Sequence, residues 1–426
     1  MAQTITEKIL ARASGRSRVT PGEYLTVKSN CPIVFGHHSF DTFMDRGLHM
    51  IPRLGVRVFD PAKVIIVDGH GGASSGSNIA DVRWAAQKWA QEVGLPPENV
   101  INLGRGGIEN MMSAERAWAL PGETFFQGCN GHLSTVGALG AFPCALSHGS
   151  GAYLMKGTTW VRVPVSVKIV LNGKMPAKGV YARDVFEYVL QQIGPMGGRG
   201  GVLEWCGPVV DAMSMDERFS LCSSAIFTGA WTAIMNPDAK TIAHVKAATE
   251  QPFEPLRSDA DAEYAKVYEF DVSQLEPLMV PHPKRHIVKT VRELEGMKIN
   301  RGFIGSDSGG WFEHMQIAAR ILKGRRLPPG IILNITPGTV GILLRMIDSG
   351  ILRTFVEAGC CVPDPNEGQE AGLNTLLCEG EVCIASAQTN YPGRMGSRAA
   401  EIHLASSATV AASALEGCIT DPRKYL

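Results

Sequence analysis

Short apolar runs alternate along this chain with stretches that have helical periodicity. The run from Val64 to Val67 is β-branched, as expected of a strand buried on both faces of a parallel sheet. Apolar residues between Val82 and Val93 then recur at helical spacing, and Gly94 follows as a natural helix stop. This alternation of strand and helix predicts an α/β fold.

Polar, glycine-rich turns follow the strand at Val64 and four further apolar runs in the same way. The further runs are 124–127, 303–304, 331–334 and 382–385. Ligands of parallel sheets bind beyond the carboxyl ends of the strands, so these turns are the first place to look for chemistry. Any one of them alone is equally typical of an ordinary strand-to-helix connection.

Length and composition narrow the class of protein. The 426 residues are enough for several domains, and we expect three, at 1–157, 158–285 and 286–426. Apolar residues make up 45% and charged residues 19%, which excludes a disordered chain. The 41 basic and 41 acidic residues balance without a patch of one sign, which argues against nucleic acid as the main partner.

Cysteine usage and the ends of the chain indicate the compartment. The ten cysteines are scattered and no Cys-x-x-Cys occurs, so neither a disulfide framework nor a zinc ribbon is supported. The start of the chain is charged and lacks a secretory apolar segment, and no apolar stretch is long enough to cross a bilayer. We therefore expect a cytoplasmic protein without a membrane partner.

Five polar residues in these turns are candidates for chemistry. Glu367 and Glu370 are three apart, so on a helical turn they would share a face and could bind a cation, or be a solvated pair. His70 and His132 each follow a glycine past a strand, and each could be a base, a metal ligand or a hydrogen-bonding residue. Arg394 could hold a substrate carboxylate or form a surface salt bridge.

Several segments carry a family resemblance through their joint order. They are Phe59-Asp-Pro61, Gly104-Arg-Gly-Gly-Ile108, Gly137-Ala-Leu-Gly-Ala-Phe142, Trp160-Val-Arg-Val-Pro164, Gly179-Val-Tyr-Ala-Arg-Asp184, Met213-Ser-Met215 and Gly393-Arg394. The chain resembles, over nearly its whole length, the large subunit of isopropylmalate isomerase in the aconitase superfamily. The resemblance implies an aconitase-like three-domain large subunit around a cleft. By the same resemblance we expect this chain to lack the swivelling fourth domain, and a separate small swivel-domain subunit is implied as partner.

The family's iron–sulfur cysteines are missing at the positions that the resemblance assigns to them. The turns read Ile304-Gly-Ser-Asp307 and Glu367-Gly-Gln-Glu370, so all three positions carry a carboxylate. Roughly one residue in ten is acidic, so three of three by chance is on the order of one in a thousand. We expect Asp307, Glu367 and Glu370 to form one site.

The family's catalytic acid–base positions are also altered. Its Asp-His pair becomes Asp68-Gly69, with His70 next to it, and its Asp-Ser-His becomes Asn130-Gly131-His132. The resemblance makes Asp68, His70, Asn130 and His132 the candidate catalytic residues.

The substrate-binding positions depart from the family as well. Its Asn-x-x-x-Glu becomes Ser223-x-x-x-Phe227, and its Asn-Arg pair becomes Gln388-Thr389, while Arg394 remains. Ser223, Gln388, Thr389 and Arg394 are the candidate substrate-binding residues. The changes indicate a substrate other than isopropylmalate or a citrate-like acid.

The leading hypothesis is a hydro-lyase or isomerase acting on a small hydroxy or unsaturated carboxylic acid. Three oxygen ligands suit a single divalent metal ion, Fe²⁺, Mn²⁺, Mg²⁺ or Zn²⁺, whereas a 4Fe-4S cluster needs thiolates and is not expected. One alternative is a metal-free acid–base enzyme of the same fold, and another is a non-catalytic or regulatory subunit. A displaced cluster on Cys129, Cys360 or Cys383 is a further option.

Overall fold

The structure is a computed structural model that describes residues 2–36, 55, 57–72, 77–128 and 130–426. Its strands, in chain order, are β1 Tyr24–Val27, β2 Ile33–Gly36, β3 Val64–Val67, β4 Val100–Ile101, β5 Thr124–Gln127, β6 Phe142–Ala145, β7 Thr159–Arg162, β8 Val165–Asn172, β9 Gly201–Cys206, β10 Thr232–Met235, β11 Lys266–Asp271, β12 Leu278–Val280, β13 Lys289–Thr290, β14 Arg301–Ile304, β15 Ile332–Ile335, β16 Val382–Ala385 and β17 Glu401–Ala405. The runs predicted as strands are confirmed, with the fourth shifted by one residue to Ile332–Ile335.

Helices alternate with these strands, as the apolar pattern predicts. They are α1 Ile5–Ser14, α2 Ser77–Glu92, α3 Glu109–Glu115, α4 Ser150–Lys156, α5 Ala182–Ile193, α6 Pro208–Ala212, α7 Met215–Ser223, α8 Ala239–Ala248, α9 Ser306–Gly309, α10 Phe312–Leu322, α11 Val340–Asp348, α12 Ile351–Ala358 and α13 Ser407–Glu416. The predicted helix after β3 corresponds to α2, which buries Ala86 and Trp89. No described helix is both long and apolar enough to span a bilayer.

Three largely parallel sheets organise the described residues. The first has the order β4-β3-β2-β5-β6 and the second β10-β9-β8-β11, and both are parallel throughout. The third has the order β13-β12-β17-β16-β14-β15, in which only β12 pairs antiparallel to its neighbours. A ribbon of β1 and β7 completes the set. The predicted α/β class is confirmed.

The arrangement of the sheets does not test the three predicted domains. Buried apolar residues from all three sheets, such as Val34, Val167 and Ile304, belong to one continuous core. The third sheet begins at Leu278, inside the range expected for the middle domain. The boundaries therefore stay a prediction. Cys129, one candidate for a displaced cluster, lies outside the described residues.

Close glycine contacts join the turn after β4 to the turns after β3 and β15. A Cβ added at Gly106 would lie 1.8 Å from the carbonyl oxygen of Asp68, and one at Gly107 would lie 2.5 Å from that of Gly338. Across the same contact the Ile108 amide donates to the Gly338 carbonyl at 2.8 Å. Side chains would keep these backbones apart, so the glycines bring turns from the first and third sheets together.

Candidate active site

The three carboxylates predicted to form one site lie around a single hydroxyl. Asp307 is in α9, just after β14. Glu367 precedes a short turn of 3₁₀-helix, and Glu370 lies within it. All three are at most 4% exposed. The Ser306 hydroxyl lies 2.9 Å from Glu367 Oε1 and 3.3 Å from Asp307 Oδ1, and its hydrogen bonding also acts on Glu370. The three acids therefore lie near one another, and their role as one metal site stays a prediction.

The ring of Phe303 fixes the relative position of the two acidic turns. A Cβ at Gly305 would lie 2.7 Å from this ring, and one at Gly368 would lie 2.6 Å from it. Gly368 also has φ +70°, a left-handed conformation that glycine adopts without strain. Two glycines therefore allow Asp307 and Glu367 to approach each other over one buried aromatic side chain.

Amide and hydroxyl groups donate to most of the carboxylate oxygens. Asp307 Oδ1 accepts from Gln388 Nε2 at 2.9 Å, and Oδ2 accepts from Asn110 Nδ2 at 3.2 Å. Glu370 Oε2 accepts from the backbone amide of Gln388 at 2.7 Å, and Glu370 Oε1 accepts from the Thr389 hydroxyl at 2.8 Å. Gln388 and Thr389, predicted to bind substrate, thus lie at the site. No three His, Cys, Asp or Glu side chains within the described ranges are arranged to hold a metal ion.

The three acids differ in their preference for a proton. Burial raises the pKa of Asp307, and burial together with the charge of Asp307 raises the pKa of Glu367 well above its usual range. Burial acts in the same direction on Glu370, but Arg394 and several hydrogen bonds outweigh it and lower its pKa. Neighbouring carboxylates with opposite shifts provide one proton donor and one proton acceptor.

His132 lies at the site with one ring nitrogen engaged. Its Nδ1 is 2.8 Å from the carbonyl oxygen of Ser223 and 3.8 Å from Asp307 Oδ2. Because a carbonyl only accepts, Nδ1 is the donor in this contact, and Nε2 is the ring nitrogen not engaged by it. Asn130 Oδ1 accepts from the His132 amide at 2.8 Å, and the Phe227 ring is 5.8 Å from the imidazole.

A buried glutamate that the sequence did not single out orients His70. Glu109 Oε2 is 3.2 Å from His70 Nδ1, and Glu109 Oε1 accepts from Gln127 and Asn130 side chains, each at 3.1 Å. The His70 carbonyl accepts from the Glu367 amide at 3.2 Å, which ties this pair to the acidic turn. Glu109 follows the Gly-Gly-Ile segment and is the first residue of α3. Its place in the first turn of a helix is the one sequence signal that could have identified it.

The charge of Glu109 changes the protonation of His70. Burial lowers the pKa of His70, but the charge and hydrogen bond of Glu109, with Glu367 and Asp307, raise it to about 9. His70 is therefore an imidazolium at neutral pH, a proton donor rather than a base.

Asp68 forms an ion pair with Arg83. Its Oδ1 accepts from Arg83 Nε at 2.8 Å, and Arg83 also donates to the carbonyl of Gly72. Burial raises the pKa of Asp68 despite Arg83. Asp68 supports the turn that carries His70, and its catalytic role stays a prediction.

Ser223 lies behind the carboxylates. It is fully buried, and its hydroxyl accepts from Gln388 Nε2 at 2.8 Å and donates to the Ser220 carbonyl at 2.9 Å. Arg285, another residue not found from the sequence, donates to the Gln388 carbonyl at 2.8 Å and lies 4.4 Å over the Phe227 ring. The substrate-binding role of Ser223 stays a prediction.

Arg394 lies at the edge of the site. Its Nη2 is 3.8 Å from Glu370 Oε1, and its side chain is 30% exposed. It also contacts Tyr391, whose hydroxyl is 3.2 Å from Arg394 Nη1. A guanidinium with one side toward the acids and another toward solvent can bind an incoming carboxylate, as the sequence predicts.

Comparison with known proteins agrees with this architecture. The family model described as "Aconitase family (aconitate hydratase)" matches residues 74–287 and 281–417. A 3-isopropylmalate dehydratase large subunit of Geobacter metallireducens is 38% identical over 87% of this chain and 88% of its own. The 3-isopropylmalate dehydratase large subunit 1 of Methanopyrus kandleri is 35% identical to this chain. That match covers the full length of both chains.

A relative named for a different activity matches over a similar length. A probable methanogen homoaconitase large subunit of Methanothermobacter thermautotrophicus is 32% identical over 99% of this chain and 97% of its own. Both names describe hydro-lyases. The family model and the relatives together confirm the resemblance, and this chain belongs to the aconitase family.

Proposed function

We propose that this chain is the large subunit of a hydro-lyase that removes water from, or adds it to, a small carboxylic acid. The observation that carries the proposal is the buried group Asp307, Glu367 and Glu370 beside Arg394, in a chain of the aconitase family. Relatives named for isopropylmalate dehydration and as homoaconitase support this reaction class. A regulatory subunit would have no need for three acids converging on one buried point.

A 4Fe-4S cluster does not fit these residues. Such clusters are held by thiolates, and the positions that the resemblance assigns to the cluster cysteines carry carboxylates.

We propose instead that Asp307, Glu367 and Glu370, which are not arranged around an ion in this structure, rearrange to hold one divalent metal ion, Fe²⁺, Mn²⁺, Mg²⁺ or Zn²⁺. Carboxylate oxygens suit these hard or borderline ions. Glu367 Oε2 supports this, because it is buried and has no hydrogen-bond partner among the described residues. The ion would act as a Lewis acid toward the substrate carboxylate and hydroxyl. Binding it requires Asp307 to release the amide donors of Asn110 and Gln388.

The chain's own residues supply substrate binding and proton transfer. Arg394 binds the substrate carboxylate as a guanidinium fork. His132 Nε2 takes the proton next to that carboxylate, and Asp307 stabilises the imidazolium that forms, 3.8 Å away. His70, protonated at neutral pH, donates a proton to the departing hydroxyl, and Glu109 holds its ring in place.

A metal-free enzyme is the second candidate. Its support is the opposite pKa shift of Glu367 and Glu370, together with the hydrogen bonds that already occupy the oxygens of Asp307 and Glu370. In that case protonated Glu367 donates its proton to the leaving hydroxyl, and the reaction needs no metal ion.

Metal analysis and activity assays on the same preparation test both candidates. The protein, with a small swivel-domain subunit added, is assayed against a panel of 2- and 3-hydroxy acids and their unsaturated counterparts. The metal proposal predicts about one ion per chain, lost in Asp307→Asn and Glu370→Gln, and activity removed by chelator. The matched control is Glu357→Gln, an exposed carboxylate on α12. Activity that survives chelation favours the metal-free candidate, and no turnover of any acid contradicts the hydro-lyase proposal.

A further inference from the structure

Two histidine side chains take the place of a rung of the third sheet where β12 leaves β17. The strands are paired as far as Val280 and Leu404, and the same register continued places His282 opposite Ile402. The His282 amide donates to His403 Nδ1 at 3.2 Å, and the Ile402 amide donates to His282 Nδ1 at 3.2 Å. The two rings therefore accept the backbone hydrogens that a further rung of the ladder would satisfy.

These contacts fix the protonation of both rings. A ring nitrogen that accepts an N–H bond carries a lone pair, so each ring is neutral with its proton on Nε2. His403 Nε2 accordingly faces Glu401 Oε2, at 3.3 Å. A second proton on either ring would lie on Nδ1, against a backbone N–H, and that amide would lose its acceptor. Leaving a buried donor without a partner costs about 1–3 kcal/mol.

The surroundings of the rings also oppose a second proton. His403 is 4% exposed, and burial together with the neighbouring His282 lowers its pKa, against the charge of Glu401. The Glu401 side chain is 56% exposed, and no other carboxylate of the described residues forms an ion pair with either ring. On β16 the residue next to His403 is the apolar Ile384, and the turn after His282 carries the basic residues 284–286.

The histidine pair, His282 and His403, holds one end of a turn that reaches the candidate active site. Arg285, in this turn, donates to the Gln388 carbonyl at 2.8 Å and pairs with Glu187. The Gln388 side chain in turn donates to Asp307. Apart from Arg285, residues 283–287 are exposed, so the turn can open without unpacking the core.

We infer that the histidine pair is an acid-sensitive switch, which keeps the Arg285 turn closed while both rings are neutral and releases it when either ring is protonated. Above about pH 6.5, the ordinary pKa of histidine, both rings are neutral and both amides are satisfied. Below that pH the open turn takes up protons that the closed turn excludes, so opening increases about tenfold per pH unit for each histidine.

Opening of the turn changes the support of the acidic residues. Release of Arg285 removes a donor from the Gln388 carbonyl, and Gln388 is the residue that donates to Asp307. Acid therefore loosens this side of the site. The switch is a property of the fold, and only its effect on catalysis rests on the proposed function.

Amide hydrogen exchange of the wild-type chain measures the opening. After correction for the intrinsic pH dependence of exchange, the protection of residues 281–288 should fall at least about tenfold between about pH 7.5 and pH 5.5. Strand β8 is the internal reference and should keep its protection. Unchanged protection of 281–288, or an equal loss in β8, would overturn the inference. This measurement needs no variant.

Asparagine variants separate titration from structure. In the double variant His282→Asn and His403→Asn, each Oδ1 takes the place of Nδ1 and accepts the same amide but does not take up a proton. Its protection at 281–288 should be equal at the two pH values. The matched control His286→Asn, exposed on the same turn, should behave as wild type. Acid loss of protection in the double variant equal to that of wild type would assign the opening to other groups and refute the switch.

An activity assay tests the link to the site separately. If the chain turns over a hydroxy acid, its KM should rise more steeply toward about pH 5.5 in wild type than in the double variant, because the variant keeps the turn closed. Identical KM profiles would contradict the link to the site. The exchange measurement stands without this assay, so failure of the switch and failure of the proposed function are distinguishable.

Discussion

At the residue scale, the positions of the three acids were predictable but their partners were not. Asp307, Glu367 and Glu370 sit in turns that the family resemblance aligns, so their meeting followed from the sequence. Glu109 reaches His70 from a different turn of the first domain. That contact depends on how two turns face each other in the folded chain. The spacing of residues along the sequence does not predict it.

Removing the charge of Glu109 tests its role toward His70. In Glu109→Gln we expect the His70 pKa to fall from about 9 toward its ordinary value, because the main raising influence is lost. A raised folded pKa stabilises the fold fully below pH 6.5, and this stabilisation disappears as pH rises through 9. The variant should lose about 1–3 kcal/mol of stability at pH 7 and less at pH 10.

His70 ring signals followed by NMR during a pH titration, and denaturant unfolding at both pH values, measure these effects. Glu123→Gln, near the first sheet but away from His70, is the control. An unchanged His70 titration in the Glu109 variant would show that the pair does not couple.

At the element scale, the apolar pattern located strands well and missed contacts between helices. Asp238 before α8 is a helix cap readable from sequence, and its Oδ1 accepts from the Thr241 amide at 3.0 Å. Its second partner, Arg218 of α7, lies at 2.6 Å from Oδ2 and is nearly fully buried. This ion pair forms because α7 packs on α8, and the sequence alone does not predict it.

Asp238→Asn should separate the cap from the ion pair, because asparagine also caps helices. Burial raises the pKa of Asp238, but the Arg218 hydrogen bond outweighs it and the net pKa is lowered. The stabilisation is therefore complete above about pH 4 and declines as pH falls through the folded pKa. We expect a loss of about 1–3 kcal/mol at pH 7 that shrinks below pH 4. Urea unfolding of both proteins at pH 7 and pH 3 measures it, and a loss independent of pH would contradict the assignment.

At the scale of the whole molecule, the α/β fold was predictable but the close approach of the sheets was not. The approach depends on the backbone contact between Gly107 and Gly338, which a sequence presents only as glycine-rich turns. Gly107→Ala would place a Cβ 2.5 Å from the Gly338 carbonyl oxygen, and we expect at least about 2 kcal/mol of destabilisation. Gly151→Ala, in α4 with open space around it, should be neutral or slightly stabilising. Equal unfolding midpoints for the two variants would contradict this role of the glycines.

The last prediction concerns the small swivel-domain subunit that the relatives' names imply as a partner. The chain spans the full length of a relative named as a large subunit, and Arg394 and the 51% exposed Tyr391 mark the open edge of its site. We expect the chain alone to be inactive and to gain activity when a small swivel-domain subunit closes this edge. Tyr391→Ala should weaken that complex about tenfold, as loss of an interface aromatic does. Leu344→Ala, an equally exposed apolar residue on α11, should leave the affinity unchanged. Calorimetric titration of the two subunits measures both, and full activity of the isolated chain would refute the need for a partner.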